Sequence, residues 1–198
     1  MAEFYDQIKD MKSVNSEELI KSLEDKVSKH LDQAIMVYQN LSEAQLNKQA
    51  ADGGWSIAQC LDHLNAYGDY YLPQMEKRMA SSNLPSSLTF TSSWLGNYFT
   101  DMLDPDKGKR KMKAFKDYRP AVALDGHAVV AKFIQQQETF IRLLRKAHYN
   151  NINKIWIPIS ISRFIKMKLG DTFRFLIAHN ERHVRQANRI EIKTTVQA

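Results

Sequence analysis

A chain of 198 residues with 43% apolar and 25% charged side chains has room for one domain with a sizeable core, expected to span residues 1–198, and lacks the composition of a disordered or collagen-like protein. Its apolar runs are only a few residues long, which excludes a membrane-crossing helix of about 20 residues, and its single cysteine, Cys60, excludes an intramolecular disulfide framework. The net charge of +6 would steer anionic partners inward, yet Lys107, Lys109, Arg110, Lys111, Lys113, Lys116 and Arg119 crowd one stretch, and a solvated basic loop accounts for them without a partner.

The opening run MAEFYDQIKD lacks the basic-then-apolar layout of a signal peptide, so a cytoplasmic location is expected. The first amphipathic segment begins near Asn15, whose spacing to Glu18 suits a capping box. Ile20, Leu23, Val27, Leu31, Ala34, Tyr38 and Leu41 then repeat at three- and four-residue steps, predicting a first helix to about Leu41. Ser42 and Gln45 can cap a short further turn before the Asp52-Gly53-Gly54 break.

Ser56 and Gln59 form another S-x-x-Q capping box, with Trp55 and Cys60 placed for a hydrophobic staple. The second helix is therefore expected from Ser56 to near Met79. Its inner stripe includes Ile57, Cys60, Leu61, Leu64, Tyr67, Tyr71 and Met75, and Pro73 kinks rather than ends it.

Between Ser81 and Leu124 the periodicity weakens to a short helix around Trp94 to Leu103 and the basic stretch. A connection this long in a compact domain is uncommon and is a candidate lid over a site. Asp125 can cap a third helix reaching about His148, with Val130, Phe133, Ile134, Gln137, Phe140, Ile141 and Leu144 in period. The segment from Asn150 to Leu169 is read as irregular. Gly170, Asp171 and Thr172 introduce a fourth helix with Phe173, Leu176, His179, His183, Ala187 and Ile190 down one side. The expected fold is all-α, a four-helix bundle with a long crossover between helices two and three.

Of the 6 histidines, His179 and His183 stand four apart, so on a helix their side chains share a face and can meet one ion. An ordinary pair of buried or exposed helix histidines fits the spacing equally. Two features favour a site: both fall on or beside the core-facing stripe, and His63 holds a similar place on helix two. Polar groups on an inward face lose hydration, and a shared metal satisfies several together. His30, His127 and His148 are read as structural or exposed, the last suited to a helix C-terminus.

The run WSIAQCLDHLNAYGDYY, Trp55 to Tyr71, resembles the second-helix signature of DinB and YfiT-like proteins, in which a Trp-Ser start precedes a metal-binding histidine. LGDTFRFLIAHNERHVRQANRI, Leu169 to Ile190, resembles the fourth helix of the same family, with its H-x-x-x-H pair followed by glutamine and Arg-Ile. The resemblance implies the DinB/YfiT type of four-helix bundle, with His63, His179 and His183 as ligands of one divalent transition metal, nickel or zinc foremost. Asn180 departs from the acidic residue of many relatives.

Three imidazoles leave a coordination position for water or substrate. Relatives include S-transferases and isomerases using low-molecular-weight thiols. The resemblance therefore implies a metal-dependent transferase that activates such a thiol for a small-molecule substrate, with a metal-dependent hydrolase or a non-catalytic metal-binding, stress-related protein as alternatives. It also implies a homodimer, since relatives commonly pair. Nucleic-acid binding is not expected, because no recognised motif accompanies the charge.

Cys60, three residues before His63, reads as a packing residue first and as a nucleophile or fourth ligand second. Tyr67, one turn beyond His63, is the candidate pocket-lining residue beside its ordinary role as a core aromatic. No general base is identifiable: Asp62, Asp69 and Glu181 point outward by the period, although any could orient a ligand.

Overall fold

In a computed structural model, residues 13–107 and 114–195 are described. The opening run MAEFYDQIKD and the basic positions Lys109, Arg110, Lys111 and Lys113 lie outside them. The described elements are β1 (Val14–Asn15), α1 (Ser16–Met36), α2 (Glu43–Asn47), α3 (Ile57–Ala80), β2 (Thr89–Phe90), α4 (Trp94–Leu103), α5 (Gly126–Ala147), β3 (Trp156–Ile159), β4 (Ser162–Lys168) and α6 (Leu169–Thr195).

The helix starts follow their capping chemistry. Asn15 accepts the N–H groups of Glu17 and Glu18 at 2.9 and 3.1 Å, satisfying two donors that the first turn leaves open. Ser42 with Gln45 and Ser56 with Gln59 form complete capping boxes at α2 and α3. Asp125 accepts from Ala128 N at the start of α5, and Pro73 lies inside α3, which runs on to Ala80.

Two expectations are corrected. The first helix stops at Met36, short of Leu41, and a 3-10 turn covers Tyr38–Asn40. Asn40 Nδ2 donates to the carbonyls of Ile35 and Met36, so a side chain takes over acceptors that another helical turn would have used. The stretch read as irregular after Asn150 holds an antiparallel hairpin of β3 and β4, pairing Trp156 with Lys168 and Ile157 with Met167. Ile157, Ile159 and Met167 turn inward and are buried, the two-residue alternation of a strand with one covered face.

α1 and α3 each pack against both α5 and α6. The pair α1 and α3 therefore takes one diagonal of the bundle, and α5 and α6 the other. The long second connection joins neighbouring helices α3 and α5, whereas the flanking links span diagonals. Inside that connection, β2 pairs with β1, matching Val14 to Phe90, and α4 lies along α6.

The crossover is tied down by a buried carboxylate. Asp171, in the first turn of α6 and 0% exposed, accepts from Ser92 Oγ, from Ser93 N at 2.9 Å and from Ser93 Oγ at 2.7 Å. Arg174 completes the cluster through Ser92 Oγ and Asn97 Oδ1 at 2.6 and 2.8 Å. Gly96 sits so close that a Cβ there would collide with the Asp171 carboxylate, so a residue without a side chain lets α4 approach.

The apolar interior divides into two clusters. One gathers Val27, Tyr71, Met75, Leu143, Phe173 and their neighbours toward the crossover and hairpin. The other gathers Ala34, Leu61, Leu64, Phe133 and Ala187 around the opposite end. Buried polar side chains come from all four long helices: His30 from α1, His63 from α3, Gln137 from α5, and His179, Asn180 and His183 from α6. Such a layer survives only where its members find partners.

Candidate metal centre and its cavity

The capping box at Ser56 starts α3 so that His63 falls on its inner stripe between the buried Leu61 and Tyr67. On α6 the i, i+4 spacing stacks His179 and His183 one turn apart, facing α3. His63 and His179 are 3% exposed and His183 9%. Their ring centroids form a nearly equilateral triangle with sides of 4.9, 4.7 and 4.9 Å.

The outer nitrogens of two rings are fixed. His63 Nδ1 donates to the carbonyl of Tyr118 at 2.6 Å, and His183 Nδ1 donates to Gln186 Oε1 at 3.0 Å. Both bonds leave Nε2 as the ring's lone pair, the tautomer that a metal-binding imidazole needs. His63 Nε2 lies 3.1 Å from His179 Nε2, and one ligand atom from each ring lies within 4.8 Å of the others. A tetrahedral ion with bonds near 2.0–2.1 Å would set its nitrogens about 3.3 Å apart. The donor set fits a divalent transition ion; the buried His179 Nδ1 has no hydrogen-bond partner among the described residues.

Electrostatics keep the imidazoles neutral. Burial lowers the proton affinity of His63, against opposing effects of the Tyr118 carbonyl and Asp62. Burial, then the neighbouring His183 and His63, hold His179 well below the usual histidine range. His183 is pushed down to about 3, chiefly by burial and then by His63.

The pH dependence of the metal-free fold follows. Below about pH 6.5 an unfolded chain protonates these histidines while the folded chain does not. The unfolded state then binds more protons, so folded-state stability is full above pH 6.5 and falls as pH drops toward the depressed folded values. The expected loss is up to about 1.4 kcal/mol for each histidine one pH unit below 6.5. Urea titrations of chelator-treated protein at pH 7.5 and 5.5 check it: a variant with all three histidines changed to asparagine should show a shallower decline, and an equal decline would contradict the assignment.

The remaining candidates separate. Cys60 is fully buried in the second core cluster, and burial pushes its thiol up to about 12. That environment suits packing and opposes nucleophilic or ligand roles. Asp69 is exposed and bound by Lys132 and Gln136. Glu181 faces His30 at 2.7 Å and Arg185 at 2.6 Å, hydrogen bonds that hold its carboxyl at about 2. Asp62 acts on His63 only through its charge, and no carboxylate joins the three-histidine group among the described residues. Asn180 donates to Gln137 within the polar layer. Of the other histidines, His30 is buried against Glu181, His127 is exposed near Glu43, and His148 caps the C-terminus of α5.

A cavity of about 100 Å³ opens beside the cluster, with all three histidines in its wall. Tyr67 and Phe175 line it from α3 and α6, Phe99 from α4, and Ile159 and Met167 from the hairpin. The Tyr67 ring stands 5.1 Å from His63 and 4.5 Å from His179. Burial raises the pKa of its phenol, which keeps it a hydrogen-bond donor near neutral pH.

Two parts of this wall escaped the sequence reading. Trp55, placed there as a staple, stacks on His183 at 5.6 Å and tilts over His63 at 4.9 Å. Its place immediately before the helix cap was the available signal. The hairpin wall was hidden because Pro158 interrupts β3 and the turn at Ser160-Ile161 has no Asn-Gly or Asp-Gly pair.

Comparison with known proteins adds three findings. A family model described as the DinB superfamily matches residues 27–187. No curated protein matches the chain. Among solved structures, it is similar to YfiT from Bacillus subtilis, described as a probable metal-dependent hydrolase with an unusual four-helix bundle topology. The two share 16% identity, with 91% of this chain and 87% of that chain covered and a TM-score of 0.53, a likeness of fold.

Proposed function

The chain belongs to the DinB superfamily, and from that premise we propose that it is a metal-dependent enzyme in which His63, His179 and His183 hold one divalent ion, zinc or nickel, beside the substrate cavity. The observation that carries this reading is the convergence of three buried, neutral imidazoles, two of them tautomerically fixed, on a space open to a cavity. A divalent ion held there would supply Lewis acidity, favouring deprotonation of a water or thiol at its remaining position.

The chain's own residues do the rest. Tyr118 and Gln186 orient the imidazoles through their Nδ1 atoms, and Tyr67 offers a phenolic donor to a bound ligand. Phe175, Phe99 and Met167 keep bulk water away and so strengthen electrostatic contacts inside. Among the described residues no carboxylate joins the cluster, so His63, His179 and His183 would hold the ion, and its Lewis acidity, rather than a side-chain base, would supply the activation of a nucleophile. A low-molecular-weight thiol as nucleophile is the favoured form of this proposal, with metal-dependent hydrolysis as the second reading, supported by the described function of YfiT.

Cobalt substitution separates them. Adding a small thiol to the Co²⁺-loaded chain should produce a sulfur-to-cobalt charge-transfer band that is missing from His183→Ala. A cobalt spectrum insensitive to thiols would move hydrolysis ahead.

A further inference from the structure

We infer that the cavity beside the histidines receives a carbonyl compound with an apolar body, and that Tyr67 donates the hydrogen bond that fixes its oxygen. What is then done to that compound rests on the metal-enzyme reading; its recognition rests on the cavity wall alone. Tyr67 is 8% exposed and lines the cavity from α3. Its phenol has no hydrogen-bond partner among the described residues, whereas buried tyrosine hydroxyls ordinarily find one. The buried polar atoms that are both unpaired and sealed by packing are Ser16 Oγ, His30 Nδ1, Asn65 Oδ1, Thr100 Oγ1 and His179 Nδ1 among the described residues. The Tyr67 oxygen is not one of them, so it keeps access to open space, and the space it borders is the cavity.

The donor is held in place before any ligand arrives. The rings of Tyr118, His179 and His63 stand 4.4, 4.5 and 5.1 Å from that of Tyr67, and a side chain already confined loses little freedom on binding. The other polar side chains of the wall are placed differently. Tyr71 Oη accepts from Ser160 N at 3.0 Å and so ties down the hairpin turn, Ser160 is only half-buried, and Arg182 already has a partner. A carbonyl oxygen satisfies the Tyr67 donor and brings no proton of its own. An amide would carry N–H donors into a wall that offers no Asp or Glu side chain among the described residues, which favours a ketone or ester.

The body follows from the rest of the wall, where Phe99, Leu103, Ile159, Met167 and Phe175 present apolar surface. A cavity of about 100 Å³ compares with about 150 Å³ for an engineered apolar cavity in another protein that takes up benzene, which limits the enclosed part to roughly one ring or a short alkyl chain.

Acetophenone and α-methylstyrene, in which a methylene replaces the carbonyl oxygen at nearly the same shape, test this by isothermal titration calorimetry on the full chain, both zinc-loaded and chelator-treated. Tyr67→Phe should weaken acetophenone binding roughly fivefold, the worth of one neutral hydrogen bond, and leave α-methylstyrene affinity within about twofold, which also shows that the variant is folded. The infrared carbonyl band of bound, carbon-13-labelled acetophenone should lie at lower frequency in wild type than in Tyr67→Phe, a shift that a merely structural role would not produce. Ser160→Ala should leave both readouts unchanged, and the Tyr67 effect should persist in the chelator-treated chain.

Equal losses for the two compounds in Tyr67→Phe, or an unmoved carbonyl band, would overturn the inference. So would transfer of the effect to Ser160→Ala, full acetophenone affinity in zinc-loaded Tyr67→Phe, which would assign the oxygen to the ion, or the absence of heat from acetophenone at millimolar concentration. A zinc titration of the same wild-type sample keeps the two readings apart: failure to take up zinc with the Tyr67 effect intact removes the metal reading and leaves this one, and zinc uptake without the Tyr67 effect does the reverse.

Discussion

His179→Ala should abolish stoichiometric metal uptake. Wild type equilibrated with zinc and dialysed should carry one ion per chain by elemental analysis, and the variant less than about a tenth of that. Loss of a bond that merely orients a ligand typically weakens metal affinity 10–100-fold, and removing one of only three donors should do more. His179 is as deeply buried as His63 and lies 3.1 Å from the facing His63 nitrogen, while the outer nitrogens of His63 and His183 are already held by Tyr118 and Gln186. The substitution also opens a void in a packed layer, and the stability of the variant alone is therefore a poor readout. The difference between metal-loaded and metal-free melting is the better one. An ion present at a thousand times its dissociation constant stabilises a fold by about 4 kcal/mol, a shift that should vanish in His179→Ala and persist in a variant of the exposed His127. Retention of one ion per chain by His179→Ala would overturn the ligand assignment.

Asp171→Ala should produce the largest loss of stability outside the histidine layer, about 3–5 kcal/mol, because it leaves two serine hydroxyls and the Ser93 N–H without their common acceptor and a partly buried arginine without its neighbouring opposite charge. Arg174 is 3.6 Å from the carboxylate with its side chain 23% exposed, and Ser92 is itself buried. Asp171→Asn, which keeps one oxygen, should lose less. Urea unfolding with an unchanged m value measures both. The Ala variant should also release α4 from α6, so protease cleavage between positions 91 and 105 should accelerate in the folded state. A loss below about 1 kcal/mol with unchanged cleavage would show that apolar packing of α4, and not the carboxylate, fixes the crossover.

How far the sequence could be read depended on how local each cause was. Capping and periodicity act within one turn, and they placed Trp94–Leu103, the Ser56 start and the Asp125 cap where the structure has them. The end of the first helix was missed because Asn40 reaches back to carbonyls of the preceding turn, a competition that apolar spacing does not record. The hairpin was missed because its first strand is only 4 residues long and carries a proline. At the site, the 179/183 spacing signalled a shared face, His63's similar place on helix two suggested a third member, and the family resemblance supplied its role as a ligand. The proximity of His63 depends on the packing of α3 against α6, across 116 positions of chain. The tautomers were beyond reach for the same reason: Tyr118 meets His63 only after the crossover folds back. Glu181 looked available as an outward acid until His30, from a different helix, was seen to engage it.

The contact between His63 and Tyr118 carries an evolutionary consequence. What holds the imidazole's Nδ1 is a main-chain carbonyl, an atom that every amino acid supplies. The ring of Tyr118, which lies 4.4 Å from that of Tyr67, is free of that duty. Substitution at position 118 therefore exchanges the aromatic surface behind the cavity without changing which nitrogen of His63 faces inward. The packing against Tyr67 and the tautomer of His63 are inherited through separate atoms of one residue, so a lineage can drift in the first while keeping the second.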